Sequence, residues 1–337
     1  MVTANEQETS HTVQPSGTGT AAQASGWSAS GVGSRWQIRF FRLLLRLGGK
    51  RPAYHIMYVV VLGYAVFSPA IRRRTRFYLS RRFPDRRRPW HCHWDSYRLL
   101  CEFGRCLLDR AALALLGDHA LRASCPDEDA LVGLRDGAEG IVLVNAHVGC
   151  WQVAMSCLHI LAKPVALVML PPEENLAHGP RPAEAPAPRP FRIIDPREGL
   201  AAVVEMMQAL KRGEIVGVMG DRIFGSAEKT VPARLLGGRI ALPLSPYRLA
   251  SATGVPIAVL LTHKTGFSTY EIRLARVIRV PPHLGAAPAA YEPYAQQFAD
   301  ALEAFAMDHP WQFFNFYDLW AEPTAETARE PENASAG

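Results

Sequence analysis

The sequence lacks the paired cysteines of a redox or zinc motif. None of its six cysteines forms a CxxC pair, so we interpret them as reduced, mostly buried residues of a cytosol-facing protein. The triplet His91–Cys92–His93 is not followed by a second ligand group of recognised spacing, so no metal site is predicted. The cysteines are Cys92, Cys101, Cys106, Cys125, Cys150 and Cys157.

Residues 1–34 have few large apolar side chains and lack the basic head and apolar stretch of a signal peptide. Because such a segment buries too little surface to offset its ordering entropy, we expect a disordered tail. A second disordered tail is expected over 321–337. Residues 171–190, rich in proline and alanine, predict a mobile surface loop.

Acidic residues are absent from the segment Arg35–Ile71. Arg35, Arg39, Arg42 and Arg46 recur at helical spacing beside aromatic and leucine residues, a pattern typical of a helix lying in a membrane interface. The following stretch, Pro52–Ile71, carries no formal charge and is near the length of a span. A spanning helix, a monotopic anchor and a buried core helix all remain open for it. We therefore treat residues 35–71 as a membrane-associating segment.

Arg72–Arg88 is strongly basic, and the whole chain has a formal net charge of +6. Such a balance favours an anionic partner: a membrane surface, a phosphorylated lipid, an acyl carrier protein or nucleic acid. Beside an apolar anchor, anionic lipid headgroups are the simplest of these partners. We therefore predict a membrane surface with anionic lipids and no nucleic acid.

Residues 72–320 alternate strand-like and helical runs, which predicts an α/β domain with a mixed, mostly parallel sheet flanked by helices. Within this domain, Trp94–Gly117 has apolar residues at helical spacing and is predicted to be a helix. The predicted strands are Ile141–Asn145, Val165–Leu170, Phe191–Ile194, Ile215–Met219, Pro256–Thr262 and Tyr270–Arg276. The predicted helices are Trp151–Ala162, Gly199–Arg212, Ser245–Thr253 and Tyr291–Asp308.

The stretch GIVLVNAHVGCWQVA, Gly140–Ala154, places His147 directly after a predicted buried strand. Reactive groups collect at the carboxyl ends of strands in open α/β sheets. Gly149 permits a sharp turn, and backbone N–H groups around it would stabilise an oxyanion. His147 meets Gln152 only if this turn is not regular helix. Otherwise His147 caps the helix and Gln152 is exposed.

Several ordered motifs resemble the bacterial lipid A biosynthesis acyltransferases, a branch of the lysophospholipid acyltransferase superfamily. NAHVGCWQVA matches their strand-end histidine motif at His147, Gly149 and Trp151. VGVMGDRIFG resembles their second strand-end motif, with Asp221 at its acid. The blocks VPARLLGGRIALPLSPYRLASATGVPIAVLL and YAQQFADALEAFAMDHPWQFFNFYDLW resemble the later parts, so the likeness runs loosely from Pro52 to Trp320.

The resemblance implies an acyltransferase in which His147 is the general base. The thioester donor would be an acyl-carrier-protein or coenzyme A conjugate, the acceptor a hydroxyl or amine of a lipid or glycolipid, and no metal or redox cofactor is needed. It also implies the cytoplasmic face of a bacterial inner membrane. The family has Glu or Asp where this chain has Gln152, which orients the ring without a negative charge; Asp221 is the acid predicted to assist.

Other readings stay open at the predicted site. Asn145, Gly149, Arg222 and Arg239 are predicted to contact substrate, the arginines through their affinity for oxyanions. Asp221 is equally a turn or capping residue. With Gln152 in place of the family acid, a catalytically impaired lipid-binding or scaffold protein is the alternative function. A third possible function is a hydrolase with Cys150 as nucleophile and His147 as base, because a helix start lowers the pKa of a thiol.

Overall fold

The computed structural model describes residues 35–86, 88–117, 120–137, 140–154, 160–170, 191–223 and 230–321. The predicted tail 1–34, the predicted loop 171–190 and all but the first residue of the predicted tail 321–337 lie outside these residues. The helices are α1 (Arg35–Gly48), α2 (Lys50–Phe67), α3 (Pro69–Arg82), α4 (Pro89–Leu116), α5 (Glu128–Asp136), α6 (Trp151–Ala154), α7 (Leu200–Lys211), α8 (Ser245–Thr253) and α9 (Glu292–Asp308).

The main sheet has seven strands in the order β1-β9-β8-β2-β5-β3-β4, and a separate hairpin pairs β6 with β7. Neighbouring strands of the main sheet are parallel except for the antiparallel pair β8 and β9. The strands are β1 (Arg122–Ser124), β2 (Ile141–Asn145), β3 (Val165–Val168), β4 (Phe191–Ile194), β5 (Ile215–Met219), β6 (Thr230–Leu235), β7 (Gly238–Pro243), β8 (Ile257–Lys264) and β9 (Thr269–Ile278).

The predicted α/β class with a mixed, mostly parallel sheet flanked by helices is confirmed. Three predicted strands, β2, β4 and β5, have the predicted bounds. The hairpin β6–β7 was not among the predicted strands. Its proline, Pro232, discourages a strand assignment because proline cannot donate to a ladder. A proline fits here because the hairpin has only two strands and Pro232 lies on an edge.

Strand β2 runs through the centre of the protein and is buried at all five positions. Alternate side chains of a strand point to opposite faces. Val142 and Val144 therefore pack in one hydrophobic cluster with α9, and Ile141 and Leu143 pack in another with α5. Burial on both faces explains the continuous β-branched run, and it fixes the carboxyl end of β2 rigidly.

The N-terminal helices pack on α4 through a third apolar cluster that includes Leu45, Tyr54, Met57 and Leu108. Among the described residues, no single helix is long and apolar enough to cross a bilayer. Taken together, α2 and α3 are long and apolar enough to cross one, but the pair is bent by 91°. Membrane association of residues 35–71 stays a prediction.

Candidate active site

His147 follows the carboxyl end of β2, and Asp221 follows the carboxyl end of the neighbouring strand β5. The two strands are parallel and in register from Ile141–Ile215 to Asn145–Met219. Parallel register brings the two following loops to the same edge of the sheet. The Gly220 N–H donates to the Asn145 carbonyl at 2.8 Å, which extends the pairing to the residue before Asp221.

The Asp221 carboxylate holds His147 in two ways. The ring Nδ1 lies 3.0 Å from Oδ1, and the backbone N–H of His147 donates to Oδ2 at 2.9 Å. A carboxylate accepts hydrogen bonds, so Nδ1 is the protonated nitrogen and Nε2 carries the free lone pair. The His147 side chain is 29% exposed, whereas that of Asp221 is 3% exposed. The ring is therefore held by Asp221 at Nδ1 and is partly exposed to solvent.

Burial by itself raises the pKa of Asp221, but the pKa is lowered overall. The charges of His147 and Arg222 and the hydrogen bonds from His147 outweigh the desolvation. Tyr317 donates its hydroxyl to the backbone carbonyl of Asp221 at 2.7 Å, which fixes the position of the residue. Asp221 is thus an ionised partner that these contacts hold beside the His147 imidazole.

Arg222 lies beside this pair, with Nε 3.3 Å from the Nδ1 atom of His147. The guanidinium also lies 4.3 Å above the Tyr317 ring, within cation–π distance. Of the two predicted arginines, Arg222 is therefore at the histidine.

Arg239 is exposed on β7, and no described contact joins it to His147 or Asp221. Its predicted role in substrate binding stays a prediction. Asn145 is 4% exposed, and its Oδ1 atom has no hydrogen-bond partner among the described residues. It ends β2 two residues before His147, so its predicted contact with substrate also stays a prediction.

Gln152 does not hydrogen-bond to His147 among the described contacts. Its Oε1 atom instead accepts from the Cys150 thiol at 3.5 Å. The turn at Val148–Cys150 is not helical, as predicted for a contact. However, the ring of His147 is turned towards β5, where a full negative charge is available. The carboxylate that contacts the histidine therefore comes from a neighbouring strand, not from the position five residues on.

Cys150 lacks the exposure and the lowered thiol pKa of an activated nucleophile. Its side chain is buried, and burial raises the pKa of the thiol to about 11. The expectation that a helix start lowers this pKa was wrong, because α6 is short in the described residues and desolvation dominates. The structure does not support the hydrolase reading.

A family model described as bacterial lipid A biosynthesis acyltransferase matches residues 99–322 of the 337-residue chain. The chain belongs to this acyltransferase family. Membership confirms the resemblance and makes acyl transfer to a lipid the family reaction. The matched range includes His147, Gln152 and Asp221. A search of curated proteins found no match to the chain.

The closing segment of the acyltransferase, residues 310–321, belongs to a block that resembles the family, but its contact with the histidine loop was not predicted. Val148 and Phe313 form an antiparallel bridge, in which Gly149 donates to the Gln312 carbonyl at 2.9 Å and Phe314 donates to the His147 carbonyl at 2.8 Å. Neither the resemblance of this block to the family nor its aromatic-rich run after a helix identifies the partner of the segment. The Gly149 N–H donates to the Gln312 carbonyl, so it is not available to an oxyanion. The oxyanion donors predicted around Gly149 are then the backbone N–H groups on either side of it.

Gly149 is required by its surroundings. Its φ is +50°, a conformation that side chains disfavour, and an added Cβ would overlap the Thr262 carbonyl oxygen. We expect Gly149→Ala to lower the free energy of unfolding by about 3 kcal/mol and to displace His147. Thermal unfolding checks the first effect. Gly237→Ala is a control at another positive φ with open space around it, and an equal loss there would show that φ alone matters.

Proposed function

We propose that this family member transfers a fatty acyl group from a thioester donor to a hydroxyl or amine of a lipid or glycolipid acceptor, with His147 as the general base. The donor is an acyl carrier protein or coenzyme A conjugate. The observation that carries the proposal is the pairing of a half-open imidazole with a buried, ionised carboxylate at the carboxyl ends of two adjacent parallel strands. This arrangement is the base and orienting acid of a nucleophile-activating site.

In the proposed reaction, Nε2 of His147 takes the proton from the acceptor hydroxyl as its oxygen attacks the thioester carbonyl carbon. The tetrahedral intermediate then breaks its carbon–sulfur bond. The imidazolium returns the proton to the leaving thiolate, so no proton is gained or lost overall. Asp221 stabilises the imidazolium because it remains ionised throughout. Arg222 lies on the Nδ1 side of the ring, next to Asp221, and is proposed to contact acidic groups of a substrate.

The alternative function is a lipid-binding or scaffold protein, and it rests on Gln152 in place of the family acid. An amide at that position supplies no charge to an imidazolium. The contact between Asp221 and His147 provides that charge from another strand. This contact is the reason that we favour catalysis over binding alone.

Membrane association at the cytoplasmic face of a bacterial inner membrane is the second part of the proposal. Its support is the set of exposed apolar side chains on the first helices, beside the basic helix α3. A surface with many large apolar groups next to cations fits the interface of an anionic bilayer. The exposed residues are Trp36, Leu43, Leu47, Val59, Leu62, Val66, Phe67, Trp90 and Trp94.

Thioester consumption by the purified full chain with a membrane lipid extract tests the catalytic proposal. The wild type is expected to release free thiol and form an acylated lipid, and His147→Ala is expected to reduce both to the background rate. His283→Ala, a loop histidine outside the site, is the matched control and should retain wild-type activity. Equal rates for wild type and His147→Ala would reject the general base.

Gln152→Glu separates the two functions. If wild type is inactive and Gln152→Glu is active, the result supports the alternative function, a lipid-binding or scaffold protein. If wild type is active and Gln152→Ala retains most of that activity, Asp221 is the orienting acid.

A further inference from the structure

One face of α3 presents a row of cationic and donor side chains. Arg73, Arg76, Phe77, Ser80 and Arg81 are spaced at three, four, seven and eight residues from the first. Such spacing places them on one side of a helix. The surrounding chain adds Asp318, and together these six residues line a cavity of about 260 Å³.

Five of the six arginines of α3 divide into two groups by their contacts. Arg72 donates to the carbonyls of Ala65 and Val66, and Arg82 donates to carbonyls at the end of α9. These two arginines hold helices together. In contrast, Arg73, Arg76 and Arg81 form no ion pair within the part of the chain that the structure describes. Their guanidinium groups line the cavity.

Arg81 is pre-positioned by an aromatic ring. Its guanidinium carbon lies 4.7 Å from the centre of the Trp320 ring, and the Trp320 indole N–H donates to the Leu235 carbonyl at 2.9 Å. A side chain at Gly238 would overlap both Arg81 and Trp320, so the glycine allows this close packing. An arginine held in this way loses little side-chain entropy when it binds an oxyanion.

The cavity is adjacent to the proposed catalytic site through the closing segment. Tyr78 of α3 stacks on Phe313 with ring centres 4.7 Å apart, and Phe313 pairs with Val148 beside His147. At the other end of the segment, Asp318 of the cavity directly follows Tyr317, which bonds to Asp221. The two sites therefore lie on either side of one short segment.

We propose that this arginine cavity binds a phosphate ester carried by a substrate. Three guanidinium groups and one carboxylate leave a net charge of +2, which favours a phosphate anion, and the Ser80 hydroxyl adds a neutral donor. Arginine binds phosphate oxygens in a bidentate manner. The phosphate belongs either to the pantetheine arm of a thioester donor or to a phosphorylated lipid. The assignment deepens the proposed acyl transfer and rests on it for the nature of the ligand.

Binding measurements on the full chain carrying His147→Ala test the cavity without turnover, so that failure of binding and failure of catalysis are distinguishable. The probes are pantetheine 4′-phosphate against pantetheine, and phosphatidylglycerol vesicles against phosphatidylcholine vesicles. In Arg73→Gln/Arg76→Gln, we expect affinity for one phosphate-bearing probe to fall about tenfold or more. The probe that responds identifies the source of the phosphate.

Arg74→Gln/Arg88→Gln is the matched control, because it removes two charges from the same basic region outside the cavity. It is expected to change affinity less than about twofold, at the level of general surface electrostatics. Equal weakening by the two double variants would mean a diffuse basic surface and would overturn the proposal. Failure of every phosphate-bearing probe to bind better than its phosphate-free partner would overturn it as well.

Discussion

Asp221→Asn is expected to lower kcat by about 10³- to 10⁴-fold while the fold is retained. Asparagine has almost the same shape as aspartate, so the packing at the end of β5 changes little. Its amide brings no charge to stabilise the imidazolium. An asparagine N–H facing Nδ1 also favours the tautomer that carries its proton on Nε2, which is then unable to accept a proton from the acceptor.

The measurement is single-turnover acyl transfer at saturating thioester, with thermal unfolding to verify folding. Gln152→Ala is the matched control, because position 152 is where the family carries its acid and Gln152 contacts Cys150 rather than His147. We expect that variant to lose less than about fivefold in kcat. The reverse order, with a small loss for Asp221→Asn and a large loss for Gln152→Ala, would assign the orienting role to Gln152.

Asp109→Asn is expected to lower the free energy of unfolding by about 3–5 kcal/mol, since it removes the charge partner of buried cations. Asp109 is fully buried in α4. It pairs with Lys264 of β8 and with Lys50 of α2 at 2.6 Å. It also accepts hydrogen bonds from Tyr54 at 2.5 Å and Tyr270 at 2.6 Å. One carboxylate thus joins the N-terminal helices to the sheet.

The pKa of Asp109 shows how the pairing offsets burial. Burial raises it, but the charge of Lys264 and the hydrogen bonds from the lysines and Tyr270 lower it overall. Since the folded pKa lies below the unfolded one, this contribution to stability is present above roughly pH 4. It is lost as the pH falls through the folded pKa. The Asn variant should therefore be less sensitive to acid than the wild type.

Thermal unfolding measures the Asp109 effect, with an expected decrease in Tm of about 6–10 °C for a domain of this size. Asp136→Asn makes the same substitution in an exposed ion pair with Arg135 and should leave Tm unchanged. A decrease of less than about 2 °C for Asp109→Asn would show that the two lysines reach solvent or another acceptor when the carboxylate is lost.

Secondary structure was largely predictable because burial leaves a clear periodic signal. Strands β2 and β5 are short, β-branched and buried on both faces, and their predicted bounds agree with the structure. Helix α8 has a proline in its first turn and glycine after its last residue, and its bounds also agree. The short edge strand β1 escaped prediction, since all three of its residues are exposed and carry no apolar pattern.

The buried network around Asp109 could not be predicted in the same way. Lys50 begins an apolar helix, Lys264 ends a strand, and Asp109 lies within a helix that is otherwise amphipathic. Each is an ordinary surface residue by local pattern. Only the packing of α2 and α4 against β8 and β9 buries these charges together.

The sequence by itself determined that a histidine ends a buried strand next to a glycine that has to turn, because those features are local and leave a local pattern. It also specified a basic helix face, through the spacing of its arginines. Only the tertiary structure decided which acid meets His147. Asp221 is 74 residues away, and strand order, not sequence distance, brings it there. Strand order depends on how apolar faces pack together throughout the domain, and no single stretch of sequence contains that information.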